Sequence, residues 1–232
     1  MKSMFTNYVL PEIEKSLKNK VVCKSIRTTG VPESILQEKI TDIIDANKEK
    51  CDIAFLPHRM LGVDIRLTSS DNQLVEDLIN SIVPRIKKYV YGYDNDKLEQ
   101  VIADLLIQNN LTVSTAESCT SGLLASRLTD VPGSSQYFKG GSVCYSNELK
   151  INDIGVDKDL IEKYGAVSEE VAESLAKNIA KKNNTDIGIG ITGIAGPDGG
   201  TEKKPVGLVF VGIFYKNNLY IKRYNCLLYT SD

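Results

Sequence analysis

The stretch PGSSQYFKGGSVCYSNELK, residues 132–150, holds two adjacent serines, Ser134 and Ser135, followed by Tyr145 and Lys150. Nothing acidic and no histidine lies between the first serine and Glu148. A serine becomes a nucleophile only when a base within hydrogen-bond reach takes its proton. The single histidine of the chain, His58, stands in CDIAFLPHRM, in what reads as a separate module. A Ser-His-Asp arrangement in the second half would therefore have to cross modules. Lysine can replace histidine when burial or nearby positive charge leaves it neutral, and Tyr145 could relay a proton or orient it. If 141–147 is a strand, alternation puts Val143, Tyr145 and Asn147 on one face, with Lys150 beyond the strand and free to fold back. A solvated lysine beside a half-buried tyrosine is the commoner outcome of such a pattern, so both readings stand at this point.

Two further stretches have chemical potential. In TVSTAESCTSG small hydroxyl residues, among them Thr115, Ser118 and Thr120, stand where a helix begins. A helix start offers free N–H groups to a phosphate, and the same residues could simply cap the helix. In GITGIAGPDGG, residues 190–200, a strand is followed, after Thr192, by four glycines and a proline. Such a loop can bring backbone N–H groups close to an anion or oxyanion, or be a plain tight turn. It is not G-x-x-x-x-G-K-[ST], which disfavours a nucleoside-triphosphate cradle.

These residues must be positioned by a soluble globular frame. The chain has 232 residues, 42% of them hydrophobic and 25% charged, enough for one large domain or two small ones. A net charge of −2 gives no electrostatic case for nucleic acid or anionic membrane. No apolar run reaches the roughly 18 residues of a spanning helix, and MKSMFTNYVLPEIEKSLKNK has charges where a signal peptide needs an apolar centre. Five scattered cysteines without C-x-x-C point to reduced thiols and a cytoplasmic location rather than a disulfide frame or zinc site. The residues offer no metal cluster: His58 lacks ligand partners, and Asp186 and Asp198 read as a strand-edge residue and a turn former rather than as magnesium ligands.

The first part, 1–92, reads as a small α+β module. VVCKSIRTTG is a strand ending at Gly30, and Ile35, Leu36, Ile40, Ile43 and Ile44 mark a helix started by Pro32 and Glu33. VDIRLTSS is a strand, and NQLVEDLINSIVPRIKKYV a helix broken near Pro84. YGYDND, 91–96, is a turn-rich seam, and the boundary is placed there. In 93–232, KLEQVIADLLIQNN, SGLLASRLTD and SEEVAESLAKNIAKK read as helices, the last capped by Ser168. LTVSTAES, YFKGGSVCYS and DIGIGITG read as strands, and VGLVFVGIFY with NLYIKRYN as a hairpin around KNN. The alternation predicts a layered α/β/α domain on a mostly buried sheet.

In this order TAESCTSG, PGSSQYF with YSNELK, GAVSEEVA, and TGIAGPDGGTEKKPVGLVFVG resemble the C-terminal domain of the competence/damage-inducible protein A family, CinA, over about 98–225. GVPES and YVYGYD resemble the family's middle, KH-like module. The resemblance implies an amidohydrolase, a nicotinamide mononucleotide deamidase that yields nicotinic acid mononucleotide and ammonia without a cofactor, and a homodimer. It implies Ser135 as nucleophile, Lys150 as base and Tyr145 as its assistant. Thr192 would stand near the carboxamide, with the turn from Gly193 supplying oxyanion N–H groups. The substrate phosphate would meet the helix start at Ser118 and Thr120.

Two departures from the family pattern stand out. Ser121 replaces the first glycine of TAESCTGG, acceptable if its φ/ψ is helical but able to crowd a phosphate. The closing CLLYTSD replaces an aromatic, a Gly-Asp-Arg turn and a final helix, and resembles translated sequencing adapter. The expected results are an uncovered sheet face, loss of an arginine for the substrate phosphate and impaired activity. Members also carry an N-terminal domain resembling molybdopterin-binding proteins; the resemblance here starts after it, so that domain and any pyrophosphatase activity tied to it are expected to be absent. The rival readings are a nucleotide-binding regulatory protein without hydrolysis and a nucleic-acid-binding module. The second is weakened because Gly30-Val-Pro-Glu lacks the second glycine of a GXXG loop.

Overall fold

The computed structural model describes residues 4–16, 21–58 and 62–226, which divide into two compact units between Val101 and Ile102. The expectations placed on CLLYTSD fall, beyond Cys226, outside the described residues.

The first unit contains a π-helical turn (Phe5–Val9) that runs into α1 (Leu10–Ser16), then β1 (Val22–Thr28), α2 (Glu33–Asn47), β2 (Asp52–His58), β3 (Gly62–Ser69), α3 (Asn72–Ile86) and β4 (Val90–Tyr93). All strand pairs are antiparallel, in the order β2-β3-β1-β4. The core joins Ile26, Ile65 and Leu67 of the sheet to Leu36 and Ile40 of α2 and Val75, Leu78, Ile82 and Ile86 of α3. The three- and four-residue spacing on α3 puts its apolar side chains on one stripe, and full burial of each stabilises by about 1.5–3 kcal/mol.

DIAFLPH is strand β2, without a period-2 signal because its residues are apolar on both faces. Two local expectations are corrected here. Pro84 does not break α3: it sits in the last turn, where little helix remains to be kinked. Part of YGYDND is strand β4, paired with β1, and only then does the chain turn at Asp94 and Asn95. His58 is held by Asp64, with Nε2 to Oδ2 at 2.6 Å, and Arg27 Nε reaches the other carboxylate oxygen at 3.0 Å.

α4 (Leu98–Gln108) spans the division between the units. The second unit continues with β5 (Val113–Glu117), α5 (Leu123–Thr129), β6 (Phe138–Val143), α6 (Asn147–Asn152), α7 (Lys158–Tyr164), α8 (Glu169–Asn183), β7 (Ile187–Gly193), β8 (Leu208–Tyr215) and β9 (Asn218–Asn225). The sheet order is β6-β5-β7-β8-β9, with β5 parallel to β6 and β7, and β8 and β9 closing it as an antiparallel hairpin. Helices α6 and α7 were not foreseen, being too short for a periodic signal.

The alternating glycines of DIGIGITG let α8 approach the sheet. A Cβ on Gly188 would lie 2.0 Å from the Ala176 carbonyl oxygen, one on Gly190 2.5 Å from that of Ala172, and one on Gly212 of β8 2.6 Å from the same oxygen. Ala172, Ala176 and Ala180 present the small side of the helix. On the other face of the β8–β9 hairpin, Ile213, Tyr220 and Tyr224 are each more than a third exposed.

Candidate active site

The three parallel strands point the same way, so the segments that follow them emerge at one edge. Chain order takes β5 to β6 on one side and returns to β7 on the other, which opens a crevice at the carboxyl ends of the strands. Ser118 follows β5, the Cys144–Lys150 segment follows β6, and Thr192 and Gly193 end β7. Together with Cys119, Asn147 and the Ala166–Val167 loop they line a cavity of about 150 Å³.

Lys150 reaches this cavity from α6, where only 2% of it is exposed. Ser146 caps that helix by accepting from the Leu149 amide, which ends the extended backbone at Val143 and overturns the expected alternation through residue 147. The Lys150 amine has three partners: the Cys144 carbonyl at 2.8 Å, the Tyr145 carbonyl at 3.0 Å and Ser118 Oγ at 3.0 Å. No carboxylate is among them. Burial lowers the Lys150 pKa, and the thiols of Cys144 and Cys119 oppose this more weakly. Carbonyls can only accept. In the neutral amine they take up both hydrogens, and the lone pair is left facing the Ser118 hydroxyl.

The structure therefore pairs Lys150 with Ser118, not with Ser135. Ser135 is exposed on a 3₁₀ turn (Ser134–Gln136) ahead of β6, its carbonyl accepts from Lys139, and it lies outside the cavity lining. Tyr145 lines the cavity, is 68% exposed as a residue, and contributes its carbonyl to the lysine. Thr192 is fully buried and donates to the Ala166 carbonyl at 2.8 Å, so it fixes the loop that forms one wall. Gly193 has no room for a side chain: a Cβ would stand 2.7 Å from the Leu208 carbonyl oxygen and 2.9 Å from Cys119 Sγ.

The helix start after TAES already holds a carboxylate of the chain itself. Glu117, fully buried, accepts from the amides of Leu124 at 3.0 Å and Ala125 at 2.8 Å, which neutralises the start of α5 from within. Its own carbonyl accepts from the Cys144 amide at 2.8 Å, tying the loop after β5 to the loop after β6. Thr120 lies outside the cavity lining, with its Oγ1 buried and unpartnered among the described residues. Ser121 has φ +51°, in the left-handed region that a glycine adopts without strain, and not the right-handed helical φ that would suit a serine. The sequence signal for this role of Glu117 is an acidic residue just ahead of a helix start.

Among the described residues no cluster of His, Cys, Asp or Glu could hold a metal ion, and no helix is long and apolar enough to cross a membrane.

Comparison with known proteins agrees with this architecture. Residues 95–227 match the family model for the CinA C-terminal domain, and residues 23–92 that for the damage-inducible protein CinA KH domain. A CinA-like protein of Dictyoglomus thermophilum is 40% identical over 94% of this chain, and one of Dictyoglomus turgidum 38% over 94%. Each match covers 54% of the relative, so the chain spans about half the length of these curated relatives. Among solved structures, the competence/damage inducible protein CihA of Agrobacterium tumefaciens is 37% identical with a TM-score of 0.54, covering 56% of this chain and 79% of that one. A competence-damaged protein (CinA) superfamily protein of Escherichia coli is 32% identical with a TM-score of 0.54, covering 58% and 77% respectively. The chain belongs to the CinA family, with a CinA-type KH domain followed by a CinA C-terminal domain.

Proposed function

We propose that the second unit is an amidohydrolase that converts nicotinamide mononucleotide to nicotinic acid mononucleotide and ammonia, with Ser118 as the nucleophile. The observation that carries this reading is the 3.0 Å contact between Lys150 Nζ and Ser118 Oγ, inside a cavity that holds the lysine away from carboxylates.

Neutral Lys150 takes the Ser118 proton while Oγ bonds to the carboxamide carbon. Collapse of the tetrahedral intermediate breaks the carbon–nitrogen bond, and the proton held by Lys150 goes to the leaving ammonia. Water, deprotonated by the same amine, then adds to the acyl-Ser118 ester. The acid is released, and the serine recovers its proton from Lys150. The net change is amide plus water to acid plus ammonia. Tyr145, on the cavity rim, would assist proton transfer to the leaving group.

The test is ammonia release from nicotinamide mononucleotide by the full chain. Ser118→Ala and Lys150→Ala should each lose activity by at least roughly a thousandfold, whereas Ser135→Ala should remain close to wild type. Loss in Ser135→Ala with retention in Ser118→Ala would reject the assignment.

A further inference from the structure

The cavity wall formed by Ala166 and Val167 belongs to the short connection between α7 and α8. Four consecutive carbonyls, Tyr164 to Val167, are taken up there by side chains. Ser168 Oγ donates to the Gly165 carbonyl at 3.0 Å, and Thr192 to that of Ala166 at 2.8 Å. The Lys204 amine donates to the other two, Tyr164 at 2.6 Å and Val167 at 2.7 Å. A carbonyl outside helix and sheet ladders has to find its donor elsewhere. Here one donor is local, one stands on β7, and two come from a single lysine on the glycine-rich connection between β7 and β8.

That glycine-rich connection also lines the cavity, through Ala195. Its ends close on each other: the Ile194 amide donates to the Leu208 carbonyl at 2.9 Å, and the Gly207 amide to the Ile194 carbonyl at 2.8 Å. Within it Thr201 and Lys204 form a tight turn. The Thr201 amide donates to the Lys204 carbonyl at 2.8 Å, and the Lys204 amide to Thr201 Oγ1 at 3.0 Å. The turn fixes the root of the Lys204 side chain, and its amine crosses to the wall. Gly165 leaves space for it, since a Cβ there would lie 3.0 Å from Nζ. Tyr164 ends α7, where carbonyls lack partners within the helix and the helix dipole favours a cation. An ammonium carries three donors, and its hydrogen bonds are stronger than neutral ones. One side chain thus ties together two connections that each supply a residue to the cavity.

We propose that Lys204 is a positioning residue of the amidase: it holds Val167 and Ala195, one from each connection, as a fixed wall for the substrate while Ser118 and Lys150 do the chemistry. The effect on turnover rests on the amidase reading, but the tether is testable without turnover. In the full chain, Lys204→Ala should raise KM for nicotinamide mononucleotide roughly tenfold, with kcat within about threefold of wild type, because the wall takes no part in proton transfer. Lys204→Met, which keeps the apolar stem without the donors, should show the same rise. Propylammonium replaces the atoms that Lys204→Ala removes and should lower the KM again. Tetramethylammonium, a cation without an N–H, should not, a difference that a general loss of stability would not produce. Without substrate, hydrogen–deuterium exchange in Lys204→Ala should be faster in both 164–168 and 194–207, and propylammonium should slow it in both. An unchanged KM, unchanged exchange in either segment, or equal effects of the two cations would overturn the proposal. If the wild type releases no ammonia while both segments respond to Lys204→Ala and to propylammonium, the tether stands and only the amidase reading falls.

Discussion

The amine of Lys150 stands 3.0 Å from the hydroxyl of Ser118, although the two residues are 32 positions apart in the chain. The lysine's other two partners are backbone carbonyls, so among the described residues the contact with serine is the one through which it can accept a proton.

This arrangement predicts a specific pH dependence. Burial holds the Lys150 pKa below its ordinary value, and only the neutral amine is a base. Rates of ammonia release should fall as pH falls through that lowered pKa and level off above it. The stability consequence has the same sign. Between the lowered pKa and about 10.4, the unfolded lysine binds a proton that the native one does not, so unfolding free energy should rise with pH across that window. Urea unfolding of the wild type and of Lys150→Met from neutral to alkaline pH measures this; the variant should lack the Lys150 part of the slope.

Glu117 should prove essential to the site without touching substrate. Replacing it by Ala removes the acceptor for the amides of the half-buried Leu124 and Ala125, at a cost of up to about 1–3 kcal/mol for each group left unsatisfied, and loosens the loop that carries Ser118. Glu117→Gln keeps one carbonyl acceptor and should lose less. Chemical denaturation of both variants, alongside kcat, provides the check; equal stability of wild type and Glu117→Ala would contradict the capping role.

At Ser121 the expected change is a gain. A non-glycine residue in the left-handed region costs roughly 1–2 kcal/mol, partly offset by the greater flexibility of glycine in the unfolded chain. Ser121→Gly should therefore raise the unfolding free energy by up to about 1 kcal/mol, read from the midpoint of denaturant unfolding at constant m-value.

Gly190→Ala should do the opposite. Its Cβ would meet the Ala172 carbonyl and the Ala176 amide at 2.5 Å, both backbone atoms that cannot swing aside. Displacing α8 from the sheet should cost about 1–3 kcal/mol or more. Because Ser168 at the head of α8 adjoins the Ala166–Val167 wall, KM for the amide substrate should rise too. Calorimetric unfolding and steady-state kinetics on the variant report both effects.

Sequence alone determined the family resemblance, the small α+β module ahead of an α/β domain, the longer helices and the glycine-rich strand. These depend on local periodicity, capping residues and turn chemistry, which act over a few residues. It also singled out Lys150, Tyr145, Thr192, Gly193 and Ser118, because their motifs lie in short segments. Tertiary structure alone decided which serine meets the lysine. Ser135 is nearer in the chain, but it precedes β6 and lies on an exposed turn, whereas Ser118 follows β5. Parallel pairing of β5 and β6 puts the residues after both strands at one edge, where the Cys144 amide and Glu117 carbonyl clamp them together. Sequence distance carries no information about that edge, since proximity there is set by strand direction and sheet order. The burial that lowers the Lys150 pKa is likewise a property of the packed α6 and not of the local pattern, in which a lysine reads as solvated.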